Sequence, residues 1–290
     1  MTDVMQMVTD QIIEQLEMGV VPWHKPWCSV RTGAFNRFSG RRYSLLNQLI
    51  LGSPGEYGSF DKWSRIGGRI KKLARSQFVV FWKWPEKSDE EENSDEPDQE
   101  EQKPKRLRPI LRYYRVFHIS QVDGVDPLPP DEPLFETEPI EAADNLLRSY
   151  IRREGIRLVE EVSNEAYYAP GSDKIHIPDI KQFEHPEEYY STAIHEAIHS
   201  TGHAKRLGRF LREKAAFGSE TYSKEELIAE IGSAAILNML GIESEASKQN
   251  SAAYIGNWLR VLKGDKRFIV SAAGQAEKAV QYITGQSLCG

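Results

Sequence analysis

The chain of 290 residues has only two cysteines, Cys28 and Cys289, separated by almost its whole length. A lone, distant pair excludes a disulfide framework and a Cys-x-x-Cys metal knuckle. No apolar run approaches the ~18 residues that mark a transmembrane helix, and mean hydropathy is −0.54. Met1-Thr2-Asp3-Val4 lacks the basic start and apolar stretch of a secretory signal. There is no internal repeat, and no RNP, KH or helix-turn-helix signature, which disfavours duplex readout. The expectation from these absences is a cytoplasmic protein of a reducing compartment.

Charge, by contrast, is abundant and unevenly placed. The net charge of −6 comes largely from one segment: Glu86 to Glu101 holds ten acids and a single base, Lys87. Residues 1–85 carry twelve Lys/Arg against six Asp/Glu, and 103–115 add six bases and no acid. From Ser88 to Lys103 there is no aromatic or aliphatic residue, too little apolar surface to offset ordering entropy. The insertion, about 86–104, reads as a solvated, disordered loop between two strands. An acidic mimic of nucleic acid, competing for the basic surface, is the functional alternative.

Val4, Val8, Ile12 and Leu16 mark an amphipathic helix that Gly19 and Pro22 end. Helices are expected at Leu45–Leu51 and Asp61–Gly67, a turn at Ser39-Gly40, and strands at Phe78–Trp82 and Leu111–Ile119. Five prolines within 126–139 make a stiff linker, so a basic domain is expected at 1–125 and a second domain at 140–290. The second domain opens with a helix, Ile140–Glu154. Strands follow at Ile156–Val162, Ala166–Ala169 and Lys174–Ile177, the last two joined by the turn Pro170-Gly171-Ser172-Asp173. Four helices complete it: Glu187–Ser200, Lys224–Leu240, Ala252–Leu262 and Phe268–Ile283. The class is α+β in two domains.

His195-Glu196-Ala197-Ile198-His199 is an HExxH. On a helix its histidines share one face and can bind one metal, with Glu196 placed as general base toward metal-activated water. Zinc is the default ion for such nitrogen ligands, and Mn or Co could replace it. A third histidine six residues after His199 would mark a metzincin, but that position is Lys205. His203 lies one turn further, beyond the helix-interrupting Gly202. It is kept as an alternative ligand or a substrate-polarising group, with Tyr222 as a second oxyanion candidate. Downstream, Ser223 reads as an N-cap with Glu226 at the capping-box position. The reading adopted over that cap makes Glu226 the third metal ligand and Glu230 the carboxylate that orients a ligand histidine, with the reverse assignment, Glu230 as ligand, as the alternative.

HEAIHSTGH, preceded by YYAPGSDKIHIPD and followed by YSKEELIAEIG, resembles the zincin-like metallopeptidase domain of ArdC-type antirestriction proteins. GVVPWHKPW, FSGRRYSLLN and FDKWSRIGGRIKK…FVVFW resemble their N-terminal single-stranded-DNA-binding domain, also found at the front of some plasmid primases. The long acidic insertion departs from that pattern, as does Ser44, where glycine is common. The resemblance implies a cytoplasmic protein of plasmids or other mobile elements that helps incoming DNA escape restriction.

The residues of the first half support strand binding independently of the resemblance. Five of the six tryptophans lie in the first 84 residues, interleaved with Lys and Arg, the combination on which bases stack while cations track phosphates. The candidates are Trp23, Trp27, Trp63 and Trp82 with Tyr43 for stacking, and Arg37, Arg41, Arg42, Arg69, Lys71 and Lys72 for phosphates. Core packing is the alternative for Trp63 and Trp82. The partners expected are single-stranded DNA and an unidentified protein substrate, the cofactor one zinc ion. Two other functions remain open: a non-catalytic DNA shield with a structural or vestigial metal site, and a DNA-dependent protease of DNA-bound proteins.

Overall fold

The apolar stripe at the N-terminus forms α1 (Val4–Glu17), capped by the Asp3 carboxylate, which accepts from the Gln6 amide at 3.2 Å. Val4, Val8, Ile12 and Leu16 are all buried. This computed structural model describes residues 3–18, 33–84, 109–128, 139–183, 185–211, 220–242 and 258–286. Trp23, Trp27, the acidic insertion and most of the proline-rich stretch lie outside the described residues.

In the first half, β1 (Ala34–Asn36), β2 (Gly55–Gly58), β4 (Gln77–Lys83) and β5 (Ile110–His118) build one sheet in the order β1-β2-β5-β4. β1 runs parallel to β2, and the other pairings are antiparallel. β3 (Arg69–Ile70) and β6 (Val122–Asp123) form a separate small ribbon. Between the strands lie α2 (Leu45–Leu51) and α3 (Phe60–Arg65). Ser44 caps α2, accepting from the Asn47 amide at 3.4 Å, and Gly52 ends it at a φ of 64° that few side chains tolerate. The Asn47 carboxamide then pairs with the backbone of Val80 on edge strand β4, donating at 2.9 Å and accepting at 2.8 Å.

In the second half, α4 (Pro139–Glu154) precedes β7 (Arg157–Glu161), β8 (Tyr167–Ala169) and β9 (Lys174–Pro178), ordered β7-β9-β8. The turn expected at 170–173 joins β8 to β9, and β7 lies parallel to β9. α5 (Pro186–Ser200), α6 (Glu220–Leu240), α7 (258–264) and α8 (Phe268–Thr284) follow. One buried cluster runs from Val4 of α1 through α2, α4, α5 and α6 to Ile283 of α8. A smaller one, with Tyr43, Tyr57, Val79 and Val116, fills the other face of the first sheet. No described helix is long and apolar enough to cross a membrane.

Candidate metal centre

α5 begins with Pro186 at its first turn, beside Glu187 and Glu188, the chemistry that suits a helix N-terminus. Its apolar face, Tyr189, Tyr190, Ala193, Ile194, Ala197 and Ile198, is buried. α6 packs against it closely: a Cβ on Gly232 would lie 2.8 Å from Ile198 Cδ1. Because α6 starts at Glu220, Ser223 lies inside the helix and cannot be its N-cap. Glu226 is therefore in the second turn, released from the capping role the sequence suggested.

The two helices bring His195, His199 and Glu226 together, with ligand atoms all within 4.8 Å of one another. The two Nε2 atoms lie 3.1 Å apart. Glu226 Oε2 is 3.6 Å from His195 Nε2, and Glu226 Oε1 is 3.5 Å from His199 Nε2. A tetrahedral ion with bonds of about 2.0–2.1 Å has ligand–ligand edges of about 3.3 Å, so two imidazoles and this carboxylate fit a divalent metal. Glu196 is buried beside them.

Each histidine also faces a carboxylate through its other ring nitrogen. His195 Nδ1 is 4.0 Å from Glu230 Oε1, and His199 Nδ1 is 3.4 Å from Glu225 Oε1. Glu230 therefore stands on the far side of the ring from the three-ligand group. Arg209 donates to both oxygens of Glu225, at 3.0 and 2.6 Å, and reaches Thr201 Oγ1 and the Ile198 carbonyl at the end of α5. Burial pushes the Glu225 carboxyl up, but its bonds to His199 and Arg209 outweigh this and hold it below the usual range. Burial pushes His195 down; the hydrogen bond to Glu226 and the charges of Glu196, Glu230 and Glu226 win, and without metal it is pushed up to about 9. Neither Glu225 nor Arg209 was among the expected site residues. The Glu225-Glu226 doublet carried a signal, since adjacent helical carboxylates diverge by about 100° and can straddle one ring. Arg209 is brought in by a turn after α5 that no local pattern announces.

His203 lies past the end of α5, outside the ligand group. Its Nδ1 accepts from the Lys205 amide at 3.2 Å and is 4.0 Å from Asp173 Oδ2. Asp173 in turn receives Arg206 and the Tyr168 hydroxyl, tying the β8–β9 turn to the chain beyond the metal helix. The side chain of Tyr222 is outside the described residues.

The candidates of the first half separate. Trp63 is fully buried, its Nε1 donating to the Phe117 carbonyl at 3.1 Å and its ring set edge-on to Phe38. It is a core residue and offers no face to a base. Tyr43 is buried in the smaller cluster. Arg37 is paired with Glu56, a carboxylate only 4% exposed, so its charge balances a buried acid rather than a phosphate. Arg41 is exposed and Arg42 half-buried. Arg69, Lys71 and Lys72 stand exposed beside β6, Lys71 donating to the Ser120 carbonyl at 2.9 Å. Trp82 is 49% exposed and pairs with Leu111 at the opposite end of β5. Phe81, Trp84 and Tyr114 are also exposed there, a group of which only Trp82 was expected to touch DNA.

Residues 2–117 match the N-terminal domain of anti-restriction factor ArdC, and residues 145–275 match the zincin-like metallopeptidase family. The crystal structure of the antirestriction ArdC protein of plasmid R388, in its Mn(II)-bound form, is 30% identical, with a TM-score of 0.75 and 98% of both chains covered. The chain belongs to the ArdC antirestriction family. A metal-free structure of the R388 ArdC is 31% identical, with a TM-score of 0.74 and 97% of both chains covered. An uncharacterized protein, y4eC of Sinorhizobium fredii (strain NBRC 101917 / NGR234), is 32% identical over 98% of this ArdC-family chain and 92% of its own length. Two DNA primase TraC proteins of Escherichia coli are each 33% identical over 96% of the chain, which spans only 20% and 27% of their lengths.

Proposed function

We propose that this protein binds single-stranded DNA through its first half and hydrolyses peptide bonds at a zinc site in its second, protecting a mobile element from restriction in the cytoplasm. The observation that carries the reading is the convergence of His195, His199 and Glu226 beside a buried Glu196. His195 and His199 would hold the ion through Nε2 and Glu226 through its carboxylate. Bound there, zinc supplies Lewis acidity toward a peptide carbonyl and water. Glu196 takes the proton of the attacking water on its carboxylate and passes it to the departing amine. Glu225, hydrogen-bonded to Nδ1 of His199, fixes that imidazole in the tautomer that leaves Nε2 free to ligate, and the charge of Glu230 favours the same tautomer of His195. Exposed Trp82 offers a stacking face, and Arg41, Arg69 and Lys72 offer charge for phosphates.

The test compares wild type with Glu196→Gln for metal content, cleavage of a labelled unfolded protein with and without oligothymidylate, and plasmid survival in a restricting host. Glu196→Gln is expected to keep its metal and lose cleavage and protection. Full protection without cleavage would replace the peptidase by a DNA shield, in which Trp82→Ala removes protection instead.

A further inference from the structure

Between the β4–β5 hairpin and α8 lies a cavity of about 480 Å³, within the range of small-ligand sites. Its floor is apolar, from the main core. One wall is Trp82, half-exposed on a strand whose neighbours Phe81 and Trp84 are also open to solvent. The facing wall is α8, where Ser271, Gly274, Gln275 and Lys278 share one side at helical spacing. Exposed Arg267 and Lys278 provide two cations at this wall, and one carboxylate, Glu277, also borders it.

Gly274 is the informative residue. It lies inside a helix, where glycine is less stable than alanine, and its φ is not one that requires glycine. A Cβ built there meets no heavy atom within 4 Å. Neither packing nor backbone geometry accounts for it, but a residue without a side chain keeps the wall of the cavity open. An aromatic face on one side, hydroxyl and carboxamide groups on the other and two cations nearby match a nucleotide: stacking for the base, hydrogen bonds for its edge, charge for phosphates.

We propose that this cavity seats one nucleotide of a single strand, its base on Trp82 and its phosphates toward Arg267 and Lys278, so that α8 of the second half completes the strand-binding surface. The proposal rests on the single-strand reading above and adds α8 to it, which nothing in the first half's sequence motifs contains.

The experiment uses the full chain, fluorescent oligothymidylate and anisotropy at several salt concentrations, with thermal melting to establish that each variant is folded. Gly274→Leu puts the side chain of a good helix former into the nucleotide's place and is expected to weaken binding about tenfold, the loss of one stacked base. Lys278→Gln is expected to reduce the salt slope by about 0.7, the value for one phosphate contact on a single strand. If wild type binds and both folded variants bind as tightly with an unchanged slope, the cavity is no nucleotide seat, while the single-strand reading stands. If wild type itself does not bind, that reading falls and this proposal with it.

Discussion

Replacing Glu225 by glutamine separates holding a ligand from being one. The carboxylate is 3.4 Å from His199 Nδ1 and accepts two bonds from Arg209, whose side chain is 8% exposed against 14% for Glu225. The amide is nearly the same size but carries no charge, so it holds the His199 ring less firmly and leaves the guanidinium without its counter-ion. Outer partners of ligand histidines typically contribute about 10–100-fold to metal affinity, or roughly 1.4–2.7 kcal/mol. Losing the charge-assisted bonds to Arg209 adds about 1.5–3 kcal/mol of lost stability. Zinc affinity is measured by competition with a chromophoric chelator at pH 7, and stability by urea unfolding with excess chelator. Glu225→Gln is expected to bind zinc 10–100-fold more weakly than wild type, while Glu226→Gln, missing a ligand, loses considerably more. A folded Glu225→Gln protein with wild-type affinity refutes the positioning role.

Three further outcomes follow from the geometry. Arg37→Ala leaves buried Glu56 with the Leu128 amide but without its counter-ion and is expected to destabilise by about 3 kcal/mol, the low end for breaking a buried pair, whereas exposed Arg41→Ala shifts stability by under about 0.5 kcal/mol; equal urea midpoints contradict the pairing. Gly232→Ala sets a methyl 2.8 Å from Ile198 Cδ1, overpacking that costs about 1–3 kcal/mol and spreads α5 from α6. Zinc affinity should fall with stability, and both should recover in part when Ile198→Val removes the clashing carbon, the two Cγ atoms remaining at 3.2 and 3.3 Å. Burial raises the Asp173 carboxyl, yet Arg206 and the Tyr168 hydroxyl lower it further, leaving it below 3.8. Its contribution is therefore complete above pH 3.8 and lost as pH falls through the depressed value. Asp173→Asn should be less stable at pH 7 and lose less between pH 4 and 2, and parallel curves in acid unfolding sink the assignment. Asparagine suits this position, because φ is 47° there.

α1 was legible from its apolar spacing and the β4–β5 pair from aromatic and β-branched content, and both formed there, as did α5 and α8 to within a residue or two, whereas α6 begins four residues before the expected Lys224. β1, β2, β3 and β6 were missed, since two to four residues hold no pattern and pairing partners distant in sequence create them. The two histidines of the candidate metal centre were readable because a helix converts spacing into direction: four residues apart means one face. Arg37 and Trp63 show the opposite case. Both have the chemistry of a nucleic-acid contact, but the buried Glu56 and the Phe117 carbonyl, each remote in sequence, claim them first. Local composition shows what a side chain can do, and tertiary neighbours determine which of those roles it takes.

The joining of α1 to α8 has a consequence for synthesis. α1 packs against α8, and beside that contact Thr9 donates to the carbonyl of Lys266, between α7 and α8, at 2.8 Å, Lys266 pairs with Asp3, and Lys263 of α7 pairs with Glu17 at 2.6 Å. α1 thus completes its packing only when α8 arrives, about 250 residues later and, at 5–20 residues per second, roughly 10–50 s. Until then the stripe of Val4, Val8, Ile12 and Leu16 lacks its partner on α8. A ribosome-bound chain halted before Phe268 should therefore be a chaperone client and sensitive to protease along α1, and release of α8 should protect both helices together.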